Sequence, residues 1–171
     1  FELGVTQRTV SNWQGGIGGP RAISREYAKH KFPERVRVTP ELCRLLGYYV
    51  AEGYARWEVD FCFSASESEL IDDLVNLMKK NFGVEPDRIR KITPGAVNVV
   101  YSAAPLAKFL TKLCGKGAHD KHVPMFMFEA PREYLVEFLR GLWAVDGYQD
   151  NRGRGEITSV SQRLILELNW L

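Results

Sequence analysis

An internal repeat constrains the fold of this chain more than any other feature of its sequence. Residues 47–53, GYYVAEG, align without gaps on residues 141–147, GLWAVDG. Each copy begins with Gly inside an apolar helical pattern and ends with an acidic residue followed by Gly. Because a repeat of this kind indicates two copies of one structural unit, it fixes the architecture before any other pattern is weighed.

The apolar patterning around the two copies predicts a mixed α+β fold. Thr39 followed by Pro40 is typical of a helix start, so we predict a helix that runs to Glu52. The following pattern predicts a hairpin over 53–64 with Trp57 on its apolar face, a helix over 66–82, a hairpin over 88–102 and a helix over 105–114. A helix over 132–146, a hairpin over 148–160 and a helix over 162–171 follow, so the order is αββαββα and then αββα, a second copy cut short.

We expect four segments along the chain. A partial helix-turn-helix and a Gly-rich break occupy residues 1–20, and a basic linker occupies 21–40. The first repeat covers 41–130, and the start of a second, truncated repeat covers 131–171. The chain begins with Phe1 rather than Met and ends inside an apolar helical pattern, so we interpret it as an excerpt from a longer protein.

Small residues recur at helical spacing in both copies of the repeat. Gly and Ala let two helix backbones approach closely, although each Gly costs a helix about 1 kcal/mol relative to Ala. The sequence therefore predicts that the two helices pack against each other through Gly47, Ala51, Gly53, Gly141, Ala144 and Gly147.

An acidic residue ends each of the two predicted helices. Glu52 and Asp146 would lie in the last turn, where the helix macrodipole disfavours negative charge. Two core helices with incidental acidic ends are the simplest alternative. Two acids in register, each followed by Gly and then Tyr, instead favour a ligand that offsets the repulsion, and a hard divalent cation fits that role.

The segments LLGYYVAEGY and LRGLWAVDGY resemble the two signature helices of the LAGLIDADG (dodecapeptide) homing endonucleases, and the resemblance covers residues 41–171. It implies a saddle of strands behind each signature helix and, at the helix ends, Mg²⁺ or Mn²⁺ bound by Glu52 and Asp146. The run KHVP resembles the segment that carries a functional lysine in intein-type members, which implies that Lys121 lies near the scissile phosphate. Glu52 is the less common acid at its position in this family.

The metal-dependent chemistry implied by the resemblance meets no competing catalytic motif in the sequence. Two carboxylates with divalent metal and a lysine suit phosphodiester hydrolysis, and there is no Ser-His-Asp or reactive Cys arrangement. His119 and His122 flank Lys121 and would bind phosphate, relay protons or simply lie in a solvated loop.

The first residues resemble the second half of a repressor-type helix-turn-helix. In LGVTQRTVSNW, the base-reading face would be formed by Gln7, Arg8, Ser11 and Asn12. Residues 1–40 carry seven Lys or Arg against three acids, whereas the whole chain has a net charge of only +2. Further DNA contacts are expected from arginines of the predicted hairpins, namely Arg56, Arg88, Arg90, Arg152 and Arg154.

Composition adds limits on compartment and partners. Three widely spaced cysteines indicate neither a disulfide framework nor a zinc site and fit a reducing cytoplasm. No apolar run approaches the length of a membrane span, and no signal peptide is apparent. The half-built second repeat would expose an apolar face, which predicts self-association.

Taken together, the sequence predicts a site-specific, divalent-metal-dependent endonuclease of double-stranded DNA, in the form of the endonuclease part of an intein or a free-standing homing enzyme. A DNA-binding regulator that kept the fold and lost the chemistry is the second hypothesis. A pure repressor is the third, and it leaves 130 residues of repeated structure unexplained.

Overall fold

A computed structural model describes residues 32–171 of the chain. Its first helix, α1 (Pro40–Glu52), begins where Thr39 accepts a hydrogen bond from the Leu42 amide at 3.1 Å, with Pro40 in the first turn. This confirms the predicted helix start. No helix in the described range is long and apolar enough to cross a membrane.

A four-stranded antiparallel sheet and two helices follow α1. The strands β1 (Gly53–Ala55), β2 (Val59–Ser64), β3 (Arg88–Thr93) and β4 (Ala96–Tyr101) lie in the spatial order β1-β2-β4-β3. Helix α2 (Ser68–Phe82) connects the two hairpins and ends at Gly83, whose φ of 66° is left-handed. Helix α3 (Ala104–Cys114) completes the αββαββα unit.

The second repeat contains the elements that the sequence predicts, in a shorter form. Helix α4 (Arg132–Asp146) leads into the hairpin of β5 (Gly147–Gln149) and β6 (Gly155–Ile157), and helix α5 (Gln162–Leu168) follows. Two short 3₁₀ helices, Ala118–Asp120 and Met125–Glu129, lie between α3 and α4. The mixed α+β fold class is confirmed.

Two local predictions are wrong. Trp57 lies in the turn between β1 and β2 with 69% of its surface exposed, rather than on the apolar face with Phe61. Helix α2 begins at Ser68 instead of residue 66. The Glu67 carboxylate accepts a hydrogen bond from the Ser64 amide before the helix starts, at 2.8 Å.

Helices α1 and α4 pack through a reciprocal glycine contact. A Cβ atom on Gly47 would lie 2.2 Å from the carbonyl oxygen of Phe138, and one on Gly141 would lie 2.2 Å from that of Arg44. Under the repeat alignment Gly47 corresponds to Gly141 and Arg44 to Phe138. Equivalent residues of the two repeats therefore make the same contact in both directions, as in a twofold-symmetric interface.

Three of the residues predicted to lie in the interface between the two helices do not contact the opposite helix. Ala144 is exposed, so it lies outside the contact with α1. Added Cβ atoms at Gly53 and Gly147 would meet Tyr49 and Trp143 of their own helices rather than the opposite helix. These two glycines end their helices, while Ala51 is half-buried against the core.

The two signature helices are buried to different extents. Leu45 and Tyr49 of α1 are fully buried against the first repeat, while their α4 counterparts Leu139 and Trp143 are 37% and 39% exposed. The core of the described structure therefore lies between α1 and its own sheet, and α4 presents an open apolar face.

Candidate functional site

The two acids predicted to bind metal end the paired helices. Glu52 is the last residue of α1 and Asp146 the last residue of α4, and each is followed by a Gly with extended backbone. Burial raises the pKa of the Glu52 carboxyl, and the nearby Asp146 carboxylate raises it further. Burial also raises the pKa of Asp146. At one end of the helix pair, the charge on the Asp146 carboxylate therefore acts on the carboxyl group of Glu52.

Lys121 lies against the end of the helix that carries Glu52. Its side chain is almost fully buried, and Nζ donates hydrogen bonds to the carbonyl oxygens of Tyr49 and, at 2.6 Å, Gly53. The ammonium group also sits 3.5 Å from the centre of the Tyr49 ring, a cation–π contact. Both carbonyls belong to the C-terminal end of α1, so the lysine compensates the negative pole of the helix that carries Glu52.

The charge on Lys121 is coupled to both acids. Burial lowers the pKa of the Lys121 amine to about 7, and the charges of Glu52 and Asp146 oppose that shift. The family resemblance predicted that this lysine would lie near a scissile phosphate. In the structure its amine is buried and turned inward against the carbonyls at the end of α1.

The donor set at the helix ends suits a divalent cation that also has ligands from outside the protein. A cation between Glu52 and Asp146 would remove the repulsion that raises the pKa of Glu52. Within residues 32–171, no group of three or more His, Cys, Asp or Glu side chains comes together to hold a metal. Two carboxylates would therefore need phosphate oxygens or water to complete the coordination shell.

Neither of the two histidines that flank Lys121 in sequence is a hydrogen-bond partner of its amine, which bonds to Tyr49 and Gly53. His119 is exposed in a 3₁₀ turn. His122 is half-buried with its Nδ1 3.2 Å from the carbonyl oxygen of Val123. This placement agrees with the solvated-loop interpretation of His119 more than with a catalytic one.

On the outer face of the four-stranded sheet, the predicted DNA contact Arg90 lies beside two residues, Asn98 and Cys62, that sequence reasoning missed. Strand pairing aligns Cys62, Asn98 and Arg90 across β2, β4 and β3, on the face opposite the buried Phe61 and Val99. The Asn98 Oδ1 atom is buried and accepts no hydrogen bond from any described residue. Asn98 is the polar residue in the otherwise apolar strand β4, and this pattern in the sequence could have indicated the site.

A second row on the same face runs from Tyr54 through Asp60 and the buried Val100 to Arg88. Burial raises the pKa of Asp60, and the Glu58 carboxylate adds to the shift, while Arg90 and Arg88 oppose it. The sheet face thus mixes cationic, anionic and amide groups, the set of side chains that reads base edges in DNA.

The other predicted DNA-contacting arginines are exposed on turns or strands. Arg56 lies in the β1–β2 turn, and Arg88 forms an ion pair with Glu58 at 2.6 Å. Arg152 and Arg154 lie around the β5–β6 turn, where Arg154 pairs with Asp150 at 3.2 Å. The predicted helix-turn-helix residues Gln7, Arg8, Ser11 and Asn12 lie outside the described residues.

Comparison with known proteins agrees with this fold. Residues 39–114 match the family model described as a LAGLIDADG-like domain. The chain therefore contains a LAGLIDADG-like domain. The homing endonuclease I-DmoI, solved in complex with its target DNA in the presence of manganese, superposes with a TM-score of 0.55 at 16% identity, over 77% of this chain and 74% of that chain. The resemblance in three dimensions thus confirms the LAGLIDADG homing endonuclease fold.

Curated relatives match over only a small part of their own length. An uncharacterised protein of Methanocaldococcus jannaschii is 31% identical over 129 residues, which is 72% of this chain and 16% of the relative. A DNA polymerase of Thermococcus kodakarensis is 30% identical over 142 residues, which is 78% of this chain and 8% of that protein. The chain therefore spans less than a fifth of the length of these relatives.

Proposed function

We propose that the chain cleaves double-stranded DNA at a specific site, with a divalent metal ion held between Glu52 and Asp146. The observation that carries the proposal is the pair of acids that end the two packed helices α1 and α4, with the buried Lys121 amine bonded to the end of α1. The LAGLIDADG homing-endonuclease fold supports membership of a DNA endonuclease family.

The chemistry of the proposal is hydrolysis of a phosphodiester. One water adds across one P–O bond, which leaves a phosphate monoester on one strand end and a hydroxyl on the other. Mg²⁺ or Mn²⁺, when bound, would supply an activated water and neutralise the phosphate charge. Glu52 and Asp146 would orient that ion from two helices, and Lys121 would add positive charge on the protein side of the acids.

An intein origin is a finer part of the same proposal. Matches to segments of archaeal DNA polymerases are consistent with an endonuclease inserted into a host protein. The alternative is a regulator that binds DNA through the same fold without cutting it. Retention of both acids and of Lys121 favours the nuclease.

A cleavage assay tests the function. The chain is incubated with a library of randomised DNA duplexes and Mg²⁺, Mn²⁺ or a chelator, and cut ends are captured and sequenced. We expect cuts at one enriched sequence, only when metal is present. Binding to an enriched sequence without any cutting would establish the regulator instead.

Substitution of the outer sheet face tests the DNA contacts. Arg90→Ala is expected to weaken binding to all duplexes. It should also reduce the slope of log affinity against log salt concentration by about one, the value for one lost phosphate contact. Asn98→Ala is expected to cost about 1–3 kcal/mol for the correct site and to relax sequence preference. Binding isotherms at several salt concentrations measure both effects. Arg132→Ala, an exposed arginine at the start of α4, is the control and should change neither.

The open face of α4 leads us to expect self-association. Val136, Leu139 and Trp143 are 44%, 37% and 39% exposed along one side of the helix. Contiguous exposed apolar surface promotes association in water. Sedimentation velocity should therefore show dimers or larger species that Leu139→Lys converts to monomer, whereas Gln162→Lys on α5 leaves them unchanged. A wild-type monomer at all concentrations would contradict this expectation.

A further inference from the structure

The segment that carries Lys121 is attached to the first repeat on one side. The Tyr49 hydroxyl donates to the carbonyl of Gly115 at 2.9 Å, and the His122 amide donates to the carbonyl of Cys114 at 3.1 Å. Together with the bonds from the Lys121 amine to the end of α1, these contacts tie residues 114–122 to helices α1 and α3.

The same segment is attached to the second repeat on its other side. The Ser161 hydroxyl donates to the carbonyl of Lys121 itself at 2.6 Å. The Glu167 carboxylate accepts a hydrogen bond from the Val123 amide at 2.8 Å. Ser161 precedes α5 and Glu167 lies near its end, so this one short helix contacts the backbone on both sides of His122.

The Ser161 contact goes beyond capping a helix. Its oxygen accepts from the Leu164 amide at 3.2 Å, which is an ordinary N-cap interaction. Capping needs only an acceptor, and the hydroxyl proton of most N-cap serines is free to bond to water. Ser161 is fully buried and its proton bonds to the Lys121 carbonyl, so the cap is linked to the lysine backbone.

Glu167 has a similar double contact. One carboxylate oxygen accepts the Val123 amide, and the other pairs with Arg163 at 2.7 Å on the exposed side of the helix. The ion pair is a surface interaction of small net value. The bond to Val123 is partly buried and joins residues 44 positions apart in sequence. It therefore helps to hold the segment that carries Lys121 in place.

We propose that Ser161 and Glu167 are positioning residues for Lys121: helix α5 of the second repeat holds the backbone that presents this lysine to the acid pair. The lysine of the first repeat is then set in place by the second repeat. Its role in DNA cleavage rests on the proposed function, whereas its position does not.

Amine labelling tests the position directly. The chain is treated with trace acetic anhydride, and mass spectrometry compares acetylation of Lys121 with that of Lys116, which is exposed in the same segment. Ser161→Ala and Glu167→Ala are expected to raise the relative labelling of Lys121 about threefold to tenfold, the range for loss of one net hydrogen bond. Ser161→Thr, which keeps the hydroxyl, should restore the wild-type value.

The matched control separates the two contacts of Glu167. Arg163→Ala removes the ion pair but keeps the acceptor for Val123, so labelling of Lys121 should stay at the wild-type value. Unchanged labelling in both Ser161→Ala and Glu167→Ala would overturn the proposal. Raised labelling together with loss of the cooperative thermal unfolding transition in both variants would also overturn it, since that result means general unfolding rather than loss of position.

DNA cleavage gives the second measurement. If the chain cuts DNA, Ser161→Ala and Glu167→Ala should slow single-turnover cleavage at saturating DNA by the same factor as the labelling change, with unaltered DNA affinity. Cleavage at the wild-type rate despite raised labelling would overturn the link to catalysis. If the wild-type chain fails to cut any duplex, the proposed function fails, and the labelling result still decides whether α5 positions Lys121.

Discussion

Replacing Asp146 by Asn, or Glu52 by Gln, is expected to abolish DNA cleavage while leaving most of the DNA affinity. The substitutions keep the size of each side chain but remove the charge that would hold a divalent cation. Loss of one electrostatic stabiliser of a transition state costs on the order of a hundredfold or more in rate. DNA binding should persist or tighten, since a negative charge beside the phosphates has been removed.

The same variants should be more stable than the wild type when no metal is present. The pKa of each carboxyl is raised in the folded protein, so the fold favours the neutral form. Stability from such a group is complete below the unfolded pKa and falls as the pH rises through the folded one. At pH 7 both carboxylates therefore oppose folding, and an amide removes that cost.

Thermal melts with and without metal measure this difference. Wild-type protein should gain stability when Mg²⁺ or Mn²⁺ is added, because the ion binds only the folded state. Asp146→Asn should begin with a higher melting temperature and gain little from metal. Glu133→Gln, at the opposite end of α4, is the matched control and should behave as wild type. Full cleavage by Asp146→Asn would show that the metal assignment is wrong.

The order of helices and strands was predictable because local signals and the repeat agree. Thr39 and Pro40 mark a helix start through contacts within four residues, and Gly83 ends α2 with a left-handed backbone. The alternation of Val59, Phe61 and Phe63 gives β2 its buried face. Such features depend on the neighbouring sequence, so one chain is enough to read them.

Features that depend on distant residues were not predictable. The Lys121 amine bonds to carbonyls 72 and 68 residues earlier, and nothing in the run KHVP indicates that it turns inward. Ala144 matches Val50 in the repeat, yet Val50 is buried and Ala144 is exposed, because only the first copy has a full sheet against its helix. Asn98 became a candidate DNA contact only when strand pairing placed it beside Arg90.

Gly47→Ala and Gly141→Ala are expected to destabilise the protein although both substitutions favour the helix. Helix propensity alone would stabilise each variant by about 1 kcal/mol. The new Cβ would lie 2.2 Å from a backbone carbonyl oxygen of the opposite helix, and backbone moves only if the helices separate. Overpacking of this kind costs about 1–3 kcal/mol or more, so the net sign reverses. Cleavage should fall as well, because the helices that separate carry Glu52 and Asp146 at their ends.

Urea unfolding of the single and double variants measures the contact and its symmetry. Once Gly47→Ala has pushed the helices apart, Gly141→Ala should lower the free energy of unfolding by less than it does alone. Both residues depend on the same distance between the two helices. Gly95→Ala is the control, because an added Cβ there meets nothing within 4 Å and φ is not positive. If the double variant instead loses as much unfolding free energy as the two single variants together, the two glycines act separately. A stabilised Gly47→Ala protein would show that α1 and α4 do not approach at this distance, and the acid pair at their ends would then lack its structural basis.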